Sequence, residues 1–234
     1  MKQIDKSSSS YKYYTGDFQG HRKNHFMSIF YQAQIPINLE DCYSMLEFGT
    51  GRNTTKALVE HFGLNHKSVD FDNIRFNPDE VSTILDYTDK NQYDLVAAFQ
   101  VLEHNLIETI EPHLSKLRSF SKKYVYISVP YSGRWFSWML NINILPSRIF
   151  NFSSIFHFVF PRKFLKKTRP TEEFKKREDK HNPHWWEVGD KNLSVKNFEK
   201  IIELTGLSIN KKFHNEFFPY HIFYLLEKKI KDDE

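Results

Sequence analysis

Residues Met45 to Thr54 read MLEFGTGRNT: an apolar run, an acid, two glycines one residue apart, and a cluster able to start a helix. The apolar run has the length of a buried strand, and Asn53 or Thr54 can cap the helix after it. Gly49 and Gly51 remove side chains from the intervening turn, so backbone can approach a ligand closely. In a doubly wound sheet that turn lies beyond the carboxyl end of the first strand, where ligands bind. Glu47, Phe48, Gly49, Thr50 and Gly51 are therefore candidate cofactor-binding residues. Asp70 follows Gly51 by nineteen residues and ends the second strand, placed to accept hydrogen bonds from ribose hydroxyls; Phe71 adjoins it. A dinucleotide fingerprint would carry glycine at position 54, which is Thr here, and would avoid an acid beside a pyrophosphate. Glu47 instead suits a ligand with positive charge.

Outward from this turn, short apolar runs alternate with helical segments. Strands are expected over Tyr43–Phe48, Lys67–Asp70, Val81–Leu85, Tyr93–Phe99 and Tyr124–Pro130, with a helix over Thr54–Phe62. Runs that are apolar throughout belong to parallel strands covered on both faces, which predicts a doubly wound α/β core. Residues 1–42 form an N-terminal cap segment with a helix around His25–Gln34. After Pro130 the rhythm breaks into an aromatic, basic, proline-punctuated stretch that matches no simple strand–helix unit; residues 131–190 are read as an inserted substrate lid. Regular structure resumes with SVKNFEKIIELTG: Ser194 caps the helix, Val195, Phe198, Ile201 and Ile202 share a face, and Gly206 stops it. Two closing strands, Leu207–Phe213 and His221–Glu227, are close enough in sequence to pair antiparallel.

At 234 residues the chain suits a single domain. A net charge of +4 from 33 basic and 29 acidic residues is too mild and scattered for a nucleic-acid binder. One cysteine, Cys42, excludes an internal disulfide and a cysteine-based metal cluster. The N-terminus lacks the apolar core of a signal peptide, and no apolar run reaches membrane-spanning length, so a cytoplasmic protein is expected.

Glu47-Phe-Gly-Thr-Gly51 resembles the first motif of class I S-adenosylmethionine-dependent methyltransferases. Asp70 resembles the acid ending the family's second strand, and ILDYTD (Ile84–Asp89) resembles the segment whose acid faces the adenine amino group. YDLVAAFQVLEH (Tyr93–His104) resembles the fourth-strand signature. The resemblance implies S-adenosyl-L-methionine as cofactor, with Asp86, Tyr87, Gln100 and Val101 joining the binding residues. It also implies a mostly parallel, seven-stranded Rossmann-like sheet whose last strand is reversed. Asn53 departs from the pattern, since many members carry a third glycine there.

The expected reaction is methyl transfer to an oxygen, with nitrogen as the second choice, of a small or glycan-like acceptor, of the kind found in bacterial surface polysaccharide or secondary metabolite pathways. His184, in HNPHWWEVG, stands where similar enzymes bring a residue over the acceptor, and imidazole is suited to taking a hydroxyl proton. His104 is the second catalytic candidate. No metal is expected, because the two histidines of this stretch lack a third ligand at a recognisable spacing. The basic runs within residues 161–178, beside an aromatic stretch, allow peripheral membrane contact through the lid. A non-catalytic nucleotide-binding scaffold with a methyltransferase-like fold is the alternative.

Overall fold

The computed structural model describes residues 21–74, 76–143, 151–160, 184–190, 193–216 and 219–229, with the backbone alone for 21–25, 134–143 and 151–160. The first twenty residues of the N-terminal segment, the basic runs and His181 lie outside these. Along the chain, α1 (His21–Asn38) precedes β1 (Ser44–Phe48), α2 (Thr54–His61), β2 (Asn65–Asp70), β3 (Glu80–Val81) and β4 (Tyr93–Phe99). Single 3-10 turns at Leu102–His104 and Ile107–Thr109 lead into α3 (Ile110–Phe120) and β5 (Ser121–Pro130). Then come β6 (Arg134–Asn143), β7 (Asn151–Phe160), α4 (Val195–Leu204), β8 (Leu207–His214) and β9 (His221–Lys228).

Side chains alternate across a strand, so strands apolar throughout must bury both faces. In β1, Leu46 and Phe48 enter one core and Met45 the other; in β4, Val96 and Ala98 oppose Leu95, Ala97 and Phe99. The first core is closed by α3 through Leu114 and Leu117 and by α4 through Phe198 and Ile202. The second is closed by α1 through Ala33 and by α2 through Val59. The sheet has the order β3-β2-β1-β4-β5-β9-β8, with β9 antiparallel to both neighbours and the other adjacent pairs parallel. This is the seven-stranded α/β sheet with a reversed last strand. The carboxyl ends of β1, β2, β4 and β5 consequently share one edge.

Local chemistry explains the framework. The Ser194 side chain accepts from the Asn197 N–H at 3.1 Å, capping α4. Phe198 and Ile202 are fully buried, each worth about 1.5–3 kcal/mol of burial, and truncating Phe198 to Ala would loosen the helix most. On the opposite face, the Tyr126 hydroxyl donates to the Tyr31 carbonyl of α1 at 3.0 Å. Among the described helices, none is long and apolar enough to cross a membrane.

Two expectations require correction. The strand foreseen over Val81–Leu85 is a two-residue stub at Glu80–Val81, and a turn follows, with the Tyr87 N–H donating to the Thr83 carbonyl. The bend is what lets Ile84 and Tyr87 enter the core, at 5% and 1% exposure. The stretch after Pro130 also contains regular structure: β6 and β7 pair antiparallel from Arg134↔Phe160 to Asn143↔Asn151, forming a two-stranded sheet of their own. The segment leaves and rejoins the domain at one point. Tyr131 bridges Val188, and the Val188 N–H donates to the Pro130 carbonyl at 2.9 Å.

Candidate active site

The turn after β1 is left-handed at three residues: Gly49 (φ 71°), Gly51 (φ 52°) and Asn53 (φ 58°). A Cβ on Gly49 would stand 2.2 Å from Val101 Cγ2, so glycine is needed both for the backbone and for the approach of the β4 loop. A Cβ on Gly51 would meet nothing within 4 Å, which leaves the turn open on that side. Asn53 occupies its left-handed position because its short amide tolerates it. Its Oδ1 accepts from the buried Thr50 hydroxyl at 2.7 Å, and its Nδ2 donates to the Asn77 carbonyl at 2.8 Å. The side chain is thus drawn away from α2, whose first N–H groups it does not cap.

Asp70 meets this turn from β2. It is buried, its Oδ2 accepts from the Gly51 N–H at 3.3 Å, and its Oδ1 accepts from the Asp72 N–H at 3.0 Å. Phe71 beside it is 65% exposed. The open glycine turn, the acid at the end of β2 and the uncapped start of α2 could together hold a nucleoside cofactor.

Other expected residues have different surroundings. Glu47 faces inward on the side of Met45, where its Oε2 and His66 Nε2 form a 2.9 Å contact. Burial raises its carboxyl above the usual range despite that partner. It is therefore not presented to a ligand as an exposed anion. Phe48 and Tyr87 pack edge to face in the core with ring centroids 5.2 Å apart, and the Tyr87 hydroxyl donates to Asp89. Any ligand contact at Tyr87 would use its backbone. Asp86 is exposed and accepts from the Thr83 hydroxyl at 2.6 Å.

The end of β4 carries the second half of the site. Gln100 is left-handed (φ 55°), a strain for a residue with a Cβ, and its N–H donates to the Ser128 carbonyl at 2.9 Å. The amide orientation that satisfies both ends accepts from the Val129 N–H at 3.1 Å and donates to Glu103 Oε1 at 3.3 Å. Glu103 is fully buried, and its Oε2 has no hydrogen-bond partner. Burial pushes its carboxyl up to about 7, against the opposing influence of His184.

His184 is brought to this loop by its own backbone neighbours: the Trp185 N–H donates to the Glu103 carbonyl at 2.7 Å, and Trp186 Nε1 donates to the Asn105 carbonyl at 3.0 Å. The His104 and His184 rings meet edge to face, with centroids 5.0 Å apart. The Tyr220 hydroxyl donates to Glu187 Oε1 at 2.9 Å and lies 3.2 Å from His184 Nδ1. Its oxygen is then the acceptor for an Nδ1–H, and the lone pair of His184 sits on Nε2, 4.0 Å from Glu103 Oε1. The arrangement can hold and move a proton.

No family model matches the chain, and no curated protein does. Solved structures do. Magnesium protoporphyrin IX methyltransferase (ChlM) from Synechocystis PCC 6803, with bound SAH, is 14% identical over 94% of this chain and 93% of that one, with a TM-score of 0.57. An S-adenosylmethionine-dependent methyltransferase from Clostridium acetobutylicum ATCC 824 is 10% identical over 91% and 94%, with a TM-score of 0.52. An O-methyltransferase family protein from Burkholderia thailandensis is 10% identical over 90% of this chain and 60% of that one, with a TM-score of 0.53. The chain has the methyltransferase fold.

Within the methyltransferase fold, the structure brings the two catalytic candidates, His104 and His184, into contact. Sequence reading missed Tyr220, weighed Glu103 only as a brace and named Glu187 only as a substitute base, without joining them to the histidines. An acid–histidine pair directly after a buried strand was the available signal for Glu103. Nothing local marks Tyr220, which reaches the cluster from the connection between β8 and β9.

Proposed function

We propose that this protein is an S-adenosylmethionine-dependent methyltransferase acting on an oxygen of a small or glycan-like acceptor, of the surface-polysaccharide or secondary-metabolite kind. The observation that carries the reading is that two half-sites share one edge of the sheet: the Gly49–Gly51 turn with Asp70, and the Glu103–His104–His184 cluster. The first half fits the cofactor. Gly51 leaves the turn open, Asp70 supplies a carboxylate for ribose hydroxyls, and the side-chain-free start of α2 offers N–H groups. When bound, S-adenosylmethionine supplies a methyl group already activated on a sulfonium.

The chain's own part is then alignment, exclusion of water and removal of one proton. Tyr220 holds the His184 ring in the tautomer that leaves Nε2 free to accept a hydroxyl proton. Glu187, bonded to Tyr220 and 3.7 Å from His184 Nδ1, stabilises the imidazolium that results. Trp185 and Trp186, anchored on the loop after β4, keep this ring over the site.

Calorimetric titration with S-adenosylmethionine, S-adenosylhomocysteine and NAD tests the cofactor assignment. Tight S-adenosylhomocysteine binding with no response to NAD is expected; preference for NAD overturns the proposal. Methyl transfer to a panel of hydroxylated acceptors then tests the reaction.

A further inference from the structure

The cluster at the end of β4 has a feature that proton transfer alone does not explain. Glu103 is a fully buried carboxylate with one oxygen lacking any hydrogen-bond partner, a costly arrangement for an acid. Its other oxygen faces the lone pair of His184 Nε2 at 4.0 Å, too far for a hydrogen bond between them. His104 adds a second imidazole, and one donor atom from each of the three residues lies within 4.8 Å of the others. One carboxylate and two imidazoles converge on one point at the end of β4.

We propose that Glu103, His104 and His184 bind a divalent transition-metal cation. Two imidazoles and one carboxylate form a borderline donor set suited to zinc or its neighbours, and three protein ligands leave an open position. Ligand atoms around tetrahedral zinc stand roughly 3.3 Å apart, given bonds of about 2.0–2.2 Å. Separations of up to 4.8 Å therefore need a contraction of at most about 1.5 Å, within reach of small side-chain rotations that the cation's own attraction would drive. The outer partners of such a site are present as well. Tyr220, braced by Glu187, orients His184 through Nδ1, and Gln100 donates to Glu103 Oε1, the second layer that fixes ligand orientation. The ligands are 81 residues apart in sequence (103 to 184), which is why no ligand spacing is legible in HNPHWWEVG.

The role of the cation rests on the methyltransferase reading, whereas its binding does not. Held at the acceptor side of the edge, the cation would act as a Lewis acid on the acceptor oxygen, so that the hydroxyl proton passes to solvent water while His184 Nε2 is occupied by the cation. His184 then serves as a ligand through Nε2 in the loaded protein.

The test uses the full chain stripped with EDTA, titrated calorimetrically with Zn²⁺, and with Co²⁺ followed by visible absorption. One equivalent should bind, and cobalt should show the absorption of a low-symmetry nitrogen and oxygen site. Losing an outer partner of a metal site costs about 10–100-fold in affinity, so Glu103→Gln, His104→Ala and His184→Ala should each cost about 100-fold or more. His61→Ala, an exposed histidine on α2, should cost nothing. Circular dichroism identifies any variant that fails to fold, and His184→Ala, whose side chain is part-exposed, then decides. Absence of stoichiometric binding, or binding indifferent to all three folded ligand variants, overturns the proposal. S-adenosylhomocysteine affinity measured on the stripped protein keeps the two readings apart: metal binding without it removes the methyltransferase reading and leaves the site, and the reverse result removes the site alone.

Discussion

Asp70 Oδ2, at the end of β2, lies 3.3 Å from the N–H of Gly51 in the turn after β1. One carboxylate therefore joins the two strand ends that a nucleoside would span. Its Oδ1 accepts from the Asp72 N–H at 3.0 Å, which fixes the carboxylate at the turn. Replacing Asp70 by Asn should weaken S-adenosylhomocysteine binding by about 1.5–3 kcal/mol, the range for hydrogen bonds to a charged group. Calorimetry on the folded variant checks this. Unchanged affinity would mean that the ribose lies elsewhere.

Gly49→Ala combines a left-handed backbone with a 2.2 Å approach to Val101 Cγ2. A destabilisation of roughly 2–4 kcal/mol is expected from the two effects together. Val101→Ala in the same chain should recover the steric part and leave the backbone part. Urea denaturation of the four-member cycle measures the coupling, and strict additivity would show that the loops do not touch.

His184→Ala and His104→Ala should each depress turnover by about 10² to 10⁴ with S-adenosylhomocysteine affinity unchanged. Tyr220→Phe should cost about tenfold, since it removes the oxygen that orients His184 without removing the ring. A fall in cofactor affinity that tracks the loss of turnover would mark the histidines as braces of the fold.

Asp89 is one contributor to acid stability. Its carboxyl is held well below the usual range, foremost by the Asn91 backbone N–H, then by Tyr87, Tyr93 and Lys67. Because the folded pKa is depressed, the stabilisation is complete above the unfolded value near ~3.9 and is lost as pH falls below it. Asp89→Asn should cost about 1.5–3 kcal/mol at pH 7 and progressively less below pH ~4. Denaturant melts at both pH values check it; a constant cost would assign the loss to packing around Tyr87 and Tyr93.

The fold was legible where pattern and burial coincide. Tyr93–Phe99 is a strand with the expected bounds because five successive residues, Leu95 to Phe99, alternate between two covered cores, and Ser194 caps α4 because a hydroxyl there has one obvious use. The stretch at Val81–Leu85 misled because its apolar residues are buried by a turn, which has no period to read. Position relative to a glycine does not reveal which face of a strand a side chain takes, and Glu47 lies on the face that holds His66. The histidine cluster was half visible. His104 and His184 each stood out, but their meeting depends on Trp185 and Trp186 bonding to the β4 loop, a contact between segments distant in sequence.

The pairing of Tyr131 with Val188 at the end of β5 has an evolutionary consequence. A segment whose two ends already touch can be lengthened, trimmed or exchanged without moving the strands that frame it. The sheet and its glycine turn can thus be inherited unchanged while descendants diversify what they accept, each new insertion tried on a scaffold that does not have to be rebuilt.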